Sequence, residues 1–182
     1  MMHVGSLTRG SAPTVDVAVI PFEEVYLLYS DRVYRFCVSL LRDSSDAEDV
    51  TANTFMAAYA AYSRVRPPST ELKPWLFRIA RNASIDQLRR RARAGRLLDV
   101  LRLSRPARHE AESVAVIRDE LREVVTAIAT LRRRERELVG MRVAGELSYA
   151  EIGAVLGISE QAAKSATRRA LARLGDRLKR TP

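Results

Sequence analysis

The sequence predicts an all-α protein, built as two small helical domains joined by a flexible linker. Three observations predict it. Apolar residues recur every three or four positions along each patterned segment, the spacing of one helix face. No alternating apolar–polar run bounded by turn residues appears, so no strand is expected. Charge falls into blocks on either side of a neutral stretch holding Ser104, Pro106 and Ser113. At 182 residues the chain has room for one or two domains.

The elements follow in order. Residues 1–21 carry one Arg and one Asp among Gly, Ser, Thr and Pro, and read as a loose tail. Phe22, Val25, Leu28 or Tyr29, Val33, Phe36 and Leu40 then mark the first helix face. Asp46 is expected to cap a second helix over 47–62, with Asp49 in a variant capping box and Val50, Phe55 and Tyr59 inside. Pro67, Pro68 and Ser69 break it. Pro74 suits the first turn of a third helix, whose face positions Leu76, Ile79, Ala83, Ile85 or Asp86, and Leu88 carry it to about Arg91. Beyond the neutral stretch, Ile117, Leu121, Val124, Ile128 and Leu131 step by four and three. The expected divisions are a tail over 1–21, a first domain over 22–95, a linker over 96–113 and a second domain over 114–182.

Charge sets the class of partner. The net charge is +9, from 31 basic and 22 acidic residues. Residues 22–63 hold seven acidic and three basic residues, net −4, whereas 64–96 hold ten basic and two acidic, net +8. Residues 158–182 add seven basic against two acidic, net +5. Two separated basic blocks suit nucleic acid; an acidic block between tail and basic block suits a basic protein surface. The arginine excess as such is compositional, so the argument rests on where the charge sits.

Several classes are excluded by the same inventory. The single Cys37 allows no internal disulfide and no thiolate zinc site, and His3 and His109 lie outside the periodic segments. No metal, cofactor or catalytic residue is therefore expected. No nucleophile–base pair or phosphate-cradling Gly loop is visible, so the chain is not expected to be an enzyme. No apolar run approaches the roughly 18 residues that a membrane helix needs, and Asp16 interrupts the short apolar stretch Val15–Ile20. A soluble, cytoplasmic protein without membrane insertion is expected.

The C-terminal part carries a helix-turn-helix pattern. Ser148 and Glu151 form a capping box, Ile152, Val155 and Leu156 an apolar face, and Gly157 a turn residue able to adopt positive φ. Ile158 follows the turn, and Ser159 caps a second helix that presents Gln161, Lys164, Ser165, Arg168 and Arg169. Such donors suit base edges and phosphates of a major groove. A helical hairpin with a solvated basic face would show much of the same pattern.

These residues resemble a known family. Leu131–Leu174, and within it LSYAEIGAVLGIS, is similar to the promoter −35-binding domain of sigma-70 factors of the extracytoplasmic-function (ECF) class. Asp46-Ala-Glu-Asp-Val50 to Thr54-Phe55 resembles the helix by which such factors grip core RNA polymerase. Trp75–Asn82, running on to Ile85–Arg90, resembles their −10 recognition and melting helix. The resemblance covers about 22–92 and 114–178. The chain departs from the pattern at Ala52-Asn53, where Gln-Glu is frequent, and at Arg132, where Pro is common. It departs again at Ala163, Ala166 and Thr167, where Val, Arg and Leu are frequent.

The resemblance implies a bacterial initiation factor that docks on core RNA polymerase, directs it to promoters and aids −10 melting. Asp46, Glu48, Asp49, Asn53 and Phe55 would bind polymerase, though helix capping alone would explain Asp46. Trp75, Arg78, Asn82, Asp86, Arg89 and Arg90 would meet −10 DNA; an aromatic beginning an amphipathic helix, as Trp75 does, is more often core. Ser159, Gln161, Lys164, Ser165, Arg168 and Arg169 would meet the −35 element. The partners implied are core polymerase and promoter DNA. Many members are held inactive by an anti-sigma factor, a candidate third partner for which no dedicated site is legible. The rival reading is a helix-turn-helix regulator binding duplex DNA without polymerase, which leaves the acidic helix and the Trp75–Arg90 block unused.

Overall fold

The computed structural model describes residues 20–100 and 128–179. Among these there are six α-helices, one π-helical turn and no strand, so the all-α expectation holds. In chain order, α1 is Phe22–Leu41, α2 Ser44–Val65 and α3 Ser69–Val100. After the undescribed stretch come α4 (Arg133–Val139), the π turn Gly140–Ala144, α5 (Tyr149–Leu156) and α6 (Glu160–Leu178). The expected periodic positions Ile117, Leu121 and Val124, and most of the 96–113 linker, lie outside the described residues.

The N-terminal helices pack around the stripe read from the sequence. Val25, Val33, Phe36 and Leu40 of α1 are buried, with Val50, Phe55 and Ala58 of α2 and Leu72, Leu76, Phe77 and Ala80 of α3. Aromatic edges fasten α1 to α2: Phe22 meets Tyr59 and Tyr62, each with centroids 5.2 Å apart, and Tyr26 meets Phe55 at 4.9 Å. Tyr62 Oη donates to the Ile20 carbonyl at 2.6 Å, tying the chain ahead of α1 to α2.

Two expected boundaries are corrected. The cap of α2 is Asp43, whose carboxylate accepts from the Asp46 amide at 2.9 Å; Asp46 sits in the first turn and is ion-paired with Arg91 of α3. Sequence alone offered two aspartates three residues apart, and the arginine that fixes the second arrives from a distant helix. α3 begins at Ser69 and runs on to Val100, so Pro74 lies in its second turn and the helix passes the end expected near Arg91. Its continuation is rich in Arg, Ala and Leu, strong helix formers that carry the helix past Gly95.

The C-terminal helices form as their caps dictate. Ser148 Oγ accepts from the Glu151 amide at 3.1 Å, while the Ser148 amide donates to Glu151 Oε2 at 2.6 Å, completing the capping box. Gly157 ends α5 at φ +68°, which a side chain would strain, and Ser159 Oγ accepts from Ala162 N at 3.2 Å to begin α6.

The two helical groups also share packing. Leu138, Val139, Met141, Leu147 and Ile152 join the same continuous apolar core as α1–α3. Gly140 makes this approach: a Cβ there would stand 2.3 Å from Ser39 Oγ and 3.2 Å from Phe36 Cδ2, both on α1.

Candidate functional site

Three surfaces carry the residues singled out above. The first is the exposed side of α2. Glu48, Asp49 and Asn53 are exposed, and Asp49, Asn53 and Met56 follow at i, i+4 and i+7, so they share a helix face. Met56, 63% exposed, extends it as an apolar surface, and so does Tyr59, which was expected inside but is 65% exposed, with its ring edge against Phe22. Two expected contributors lie elsewhere. Phe55 is 5% exposed and packed against Phe22 and Tyr26, so in this fold it belongs to the core and not to the docking surface. Asp46 is buried and engaged by Arg91. Its signal in the sequence was sound for charge and silent about the partner.

The second surface is α3. Asn82, Asp86, Arg89 and Arg90 are exposed, and Arg89 reaches Asp86 at 3.2 Å along the helix. Arg90 and Gln87 face Asp49 and Asn53 across an open groove floored by Val50 and Ala83. The acidic and basic blocks, separate in sequence, therefore meet along one groove. Trp75 is half-buried with its ring 6.2 Å from Tyr62, in keeping with the core role weighed for it. Arg78 keeps an exposed side chain but donates to the Ala154 carbonyl of α5 at 2.7 Å.

The third surface is α6. Gln161, Arg168 and Arg169 are exposed, with Lys164 and Ser165 half-buried on the same side. Ala163, Thr167, Ala170 and Leu174 form the buried side. The departures from the family pattern at Ala163 and Thr167 therefore fall in the core and leave the exposed basic face unchanged. Ala166 is half-buried against the core. Ser159 is spent on the helix cap, where its exposed position keeps the first amides of α6 turned to solvent.

One charged cluster was not legible in the sequence. Glu137 of α4 has no solvent exposure and sits among Arg81 Nε at 3.1 Å, Arg134 Nη1 at 3.1 Å and Arg133 Nη1 at 3.3 Å. Arg81 comes from α3, so the cluster spans the two helical groups. Beside it, Lys73 Nζ donates to the Glu146 carbonyl at 2.7 Å and reaches Glu151 Oε2 at 3.4 Å, and Arg32 pairs with Glu146 at 2.9 Å. Burial raises the Tyr29 hydroxyl above its ordinary pKa, with Arg32 opposing and Glu151 reinforcing the shift. No group of His, Cys, Asp and Glu able to hold a metal occurs among the described residues.

The comparisons with known proteins match this geometry. Residues 25–94 match the model of Sigma-70 region 2 and residues 121–174 that of Sigma-70, region 4. The chain is 35% identical over 153 residues to the ECF RNA polymerase sigma factor SigM of Bacillus subtilis, covering 84% of this chain and 91% of that one. This chain belongs to the ECF RNA polymerase sigma factors. It is also 30% identical over 164 residues to the RNA polymerase sigma factor CarQ of Myxococcus xanthus, covering 90% and 92% of the two chains. Among solved structures it resembles the sigma factor RpoE bound to the anti-sigma factor NepR from Bartonella quintana. That match has a TM-score of 0.70 at 29% identity and covers 88% of this chain and 98% of that one. CnrH bound to the cytosolic domain of CnrY matches with a TM-score of 0.63 at 26% identity, covering 88% and 89%. Sigma factors are not enzymes. No described helix of this one is long and apolar enough to cross a membrane.

Proposed function

We propose that this sigma factor docks on core RNA polymerase through the exposed face of α2, reads the −35 element with α6 and holds the −10 non-template strand along α3. The observation that carries the reading is the groove between α2 and α3, where Asp49 and Asn53 stand opposite Gln87 and Arg90. A protein that only bound duplex DNA would gain nothing from an acidic wall beside its basic helix, because that wall repels phosphate. A factor that bridges polymerase and an opened strand uses both walls. Within this assignment Glu48, Asp49, Asn53 and Met56 meet polymerase. Asn82, Asp86, Arg89 and Arg90 meet −10 DNA, and Gln161, Lys164, Ser165, Arg168 and Arg169 meet −35 DNA.

The cytoplasm, where polymerase and promoters are, is the compartment this reading requires. An anti-sigma partner is a further candidate, supported by the similar RpoE structure, which is a complex with the anti-sigma factor NepR. The test uses the full chain with core polymerase and promoter fragments selected from random duplexes. Specific start-site transcription and a gel shift that strengthens on adding core polymerase are expected. Tight, sequence-specific duplex binding unaffected by polymerase would favour the regulator reading instead.

A further inference from the structure

Arg89, Arg90 and Arg91 are one basic run in the sequence, but the fold does not treat them alike. The Arg89 side chain is 71% exposed, whereas that of Arg91 is 29% exposed and turned onto the start of α2. Arg91 Nη1 donates to the Leu41 carbonyl, at the end of α1, at 3.2 Å; Nη2 pairs with Asp43 at 2.8 Å and with Asp46. Asp43 is at the same time the cap of α2, accepting from the Asp46 amide at 2.9 Å. One guanidinium therefore joins the end of α1, the cap and first turn of α2, and the C-terminal half of α3.

The contact has a definite place beside the groove between α2 and α3. Asp49 and Asn53 follow Asp46 by three and seven residues, and Gln87 precedes Arg91 by four. At 1.5 Å of rise per residue they lie roughly 5–11 Å along their helices from the pair. All three line the groove, so the Arg91 contact closes one end of it and fixes the spacing of its walls.

We propose that Arg91 is a positioning residue for strand capture. By holding the start of α2 against α3 it keeps the polymerase-facing wall and the strand-facing helix in one register, touching neither partner itself. The inference rests on the reading of α2 and α3 as polymerase and −10 surfaces, and adds a residue that acts through them. Polymerase seated on α2 presents the −10 strand correctly to α3 only where the two helices are fixed to each other. A surface already set in its bound geometry loses less on binding. Arginine is required for this: lysine keeps the charge, but as a point donor it does not bridge a carbonyl and two carboxylates as a planar fork does.

The experiment uses the full chain assembled with core RNA polymerase at saturating factor, well below the melting temperature. Fluorescence anisotropy reads binding of the labelled non-template strand of a promoter selected from random duplexes. Arg91→Gln should weaken binding about fivefold or more while the slope of affinity against salt stays as in wild type, since no phosphate contact is lost. Asp46→Asn, on the helix that meets no DNA, should give a similar loss. Combining the two should weaken binding no more than about twofold beyond either alone, because both changes break one contact. Arg91→Lys should behave as Arg91→Gln does, and takes its place in the cycle if the glutamine variant does not fold. A salt slope reduced by about 0.7, with binding restored by lysine, would make Arg91 a phosphate contact and overturn the proposal. Additive losses would overturn it too. So would variants with lowered melting temperature whose folded holoenzyme binds the strand as wild type does, the mark of a purely structural pair. Start-site transcription by the wild type separately decides the underlying function: a transcribing wild type with an overturned cycle loses only the role of Arg91.

Discussion

Thr167 carries a hydroxyl to the buried side of α6, where its Oγ1 has no hydrogen-bond partner and the residue has no exposure. An unpaired buried hydroxyl costs about 1–3 kcal/mol, and valine has the same shape without it. Thr167→Val should therefore raise stability by about 1 kcal/mol in denaturant melts. An unchanged or lowered midpoint would mean that the hydroxyl is satisfied. On the opposite face of the same helix the expectation reverses. Lys164→Ala or Arg168→Ala should leave the melt alone and cut transcription from the factor's own promoters about tenfold, since a base contact is worth roughly 1–3 kcal/mol. A loss that is equal on all sequences and changes only the salt dependence would assign the residue to phosphate. On α2, Asp49→Arg should reduce co-purification with core polymerase at unchanged helicity, whereas Phe55→Ala should cost about 3–5 kcal/mol of stability, as for any large core deletion. The sequence motif contains both residues and cannot separate them. Position on the helix does, because Asp49 is exposed while Phe55 meets α1.

Helices were largely legible because burial of one face and capping of the ends are both written locally. The Ser148–Glu151 box, Gly157 and Ser159 all form as their residue types require. What stayed hidden at α2 depends on a distant partner: Arg91 of α3 engages Asp46, while Asp43 caps the helix. α4 shows the same dependence through Glu135. Its carboxylate accepts from the Arg132 amide at 3.0 Å and pairs with Arg173 of α6. Burial would raise its pKa, but the Arg132 amide and Arg173 outweigh burial and leave it lowered. A lowered native value means the ionised form stabilises the fold above the unfolded pKa, and that this contribution is lost as pH falls through the native one. Arg173 is largely exposed, so solvent screens the pair and its worth is at most about 1 kcal/mol. Glu135→Gln should therefore lower the melting temperature at pH 7 by a few degrees, and the gap from wild type should close as pH drops below about 4. A gap independent of pH would show that the residue acts through packing alone.

At the scale of the molecule, the sequence divides cleanly by charge and the fold does not divide by core. Periodicity marks Phe36 as facing inward but does not say what it faces. In the structure Gly140 packs beside Phe36, and a Cβ on Gly145 would stand 2.6 Å from Phe77 Cε1. Neither glycine has a signature in sequence that distinguishes it from a loop glycine. A continuous core has a thermodynamic consequence: helices that share buried surface unfold together, because exposing one group strips contacts from the other. Wild type at low salt should therefore show one calorimetric transition whose van't Hoff and calorimetric enthalpies agree. The three nearest atoms printed for a Cβ on Gly140 all belong to α1, so Gly140→Leu pushes the C-terminal group off α1. That variant should resolve into two transitions, the three-helix unit and the helix-turn-helix unit, with total helicity near wild type at low temperature. The smaller C-terminal unit should melt first, because small domains bury a smaller fraction of their surface. Two transitions already present in the wild-type chain would mean that the shared core contributes little coupling, and that each unit is held by its own contacts.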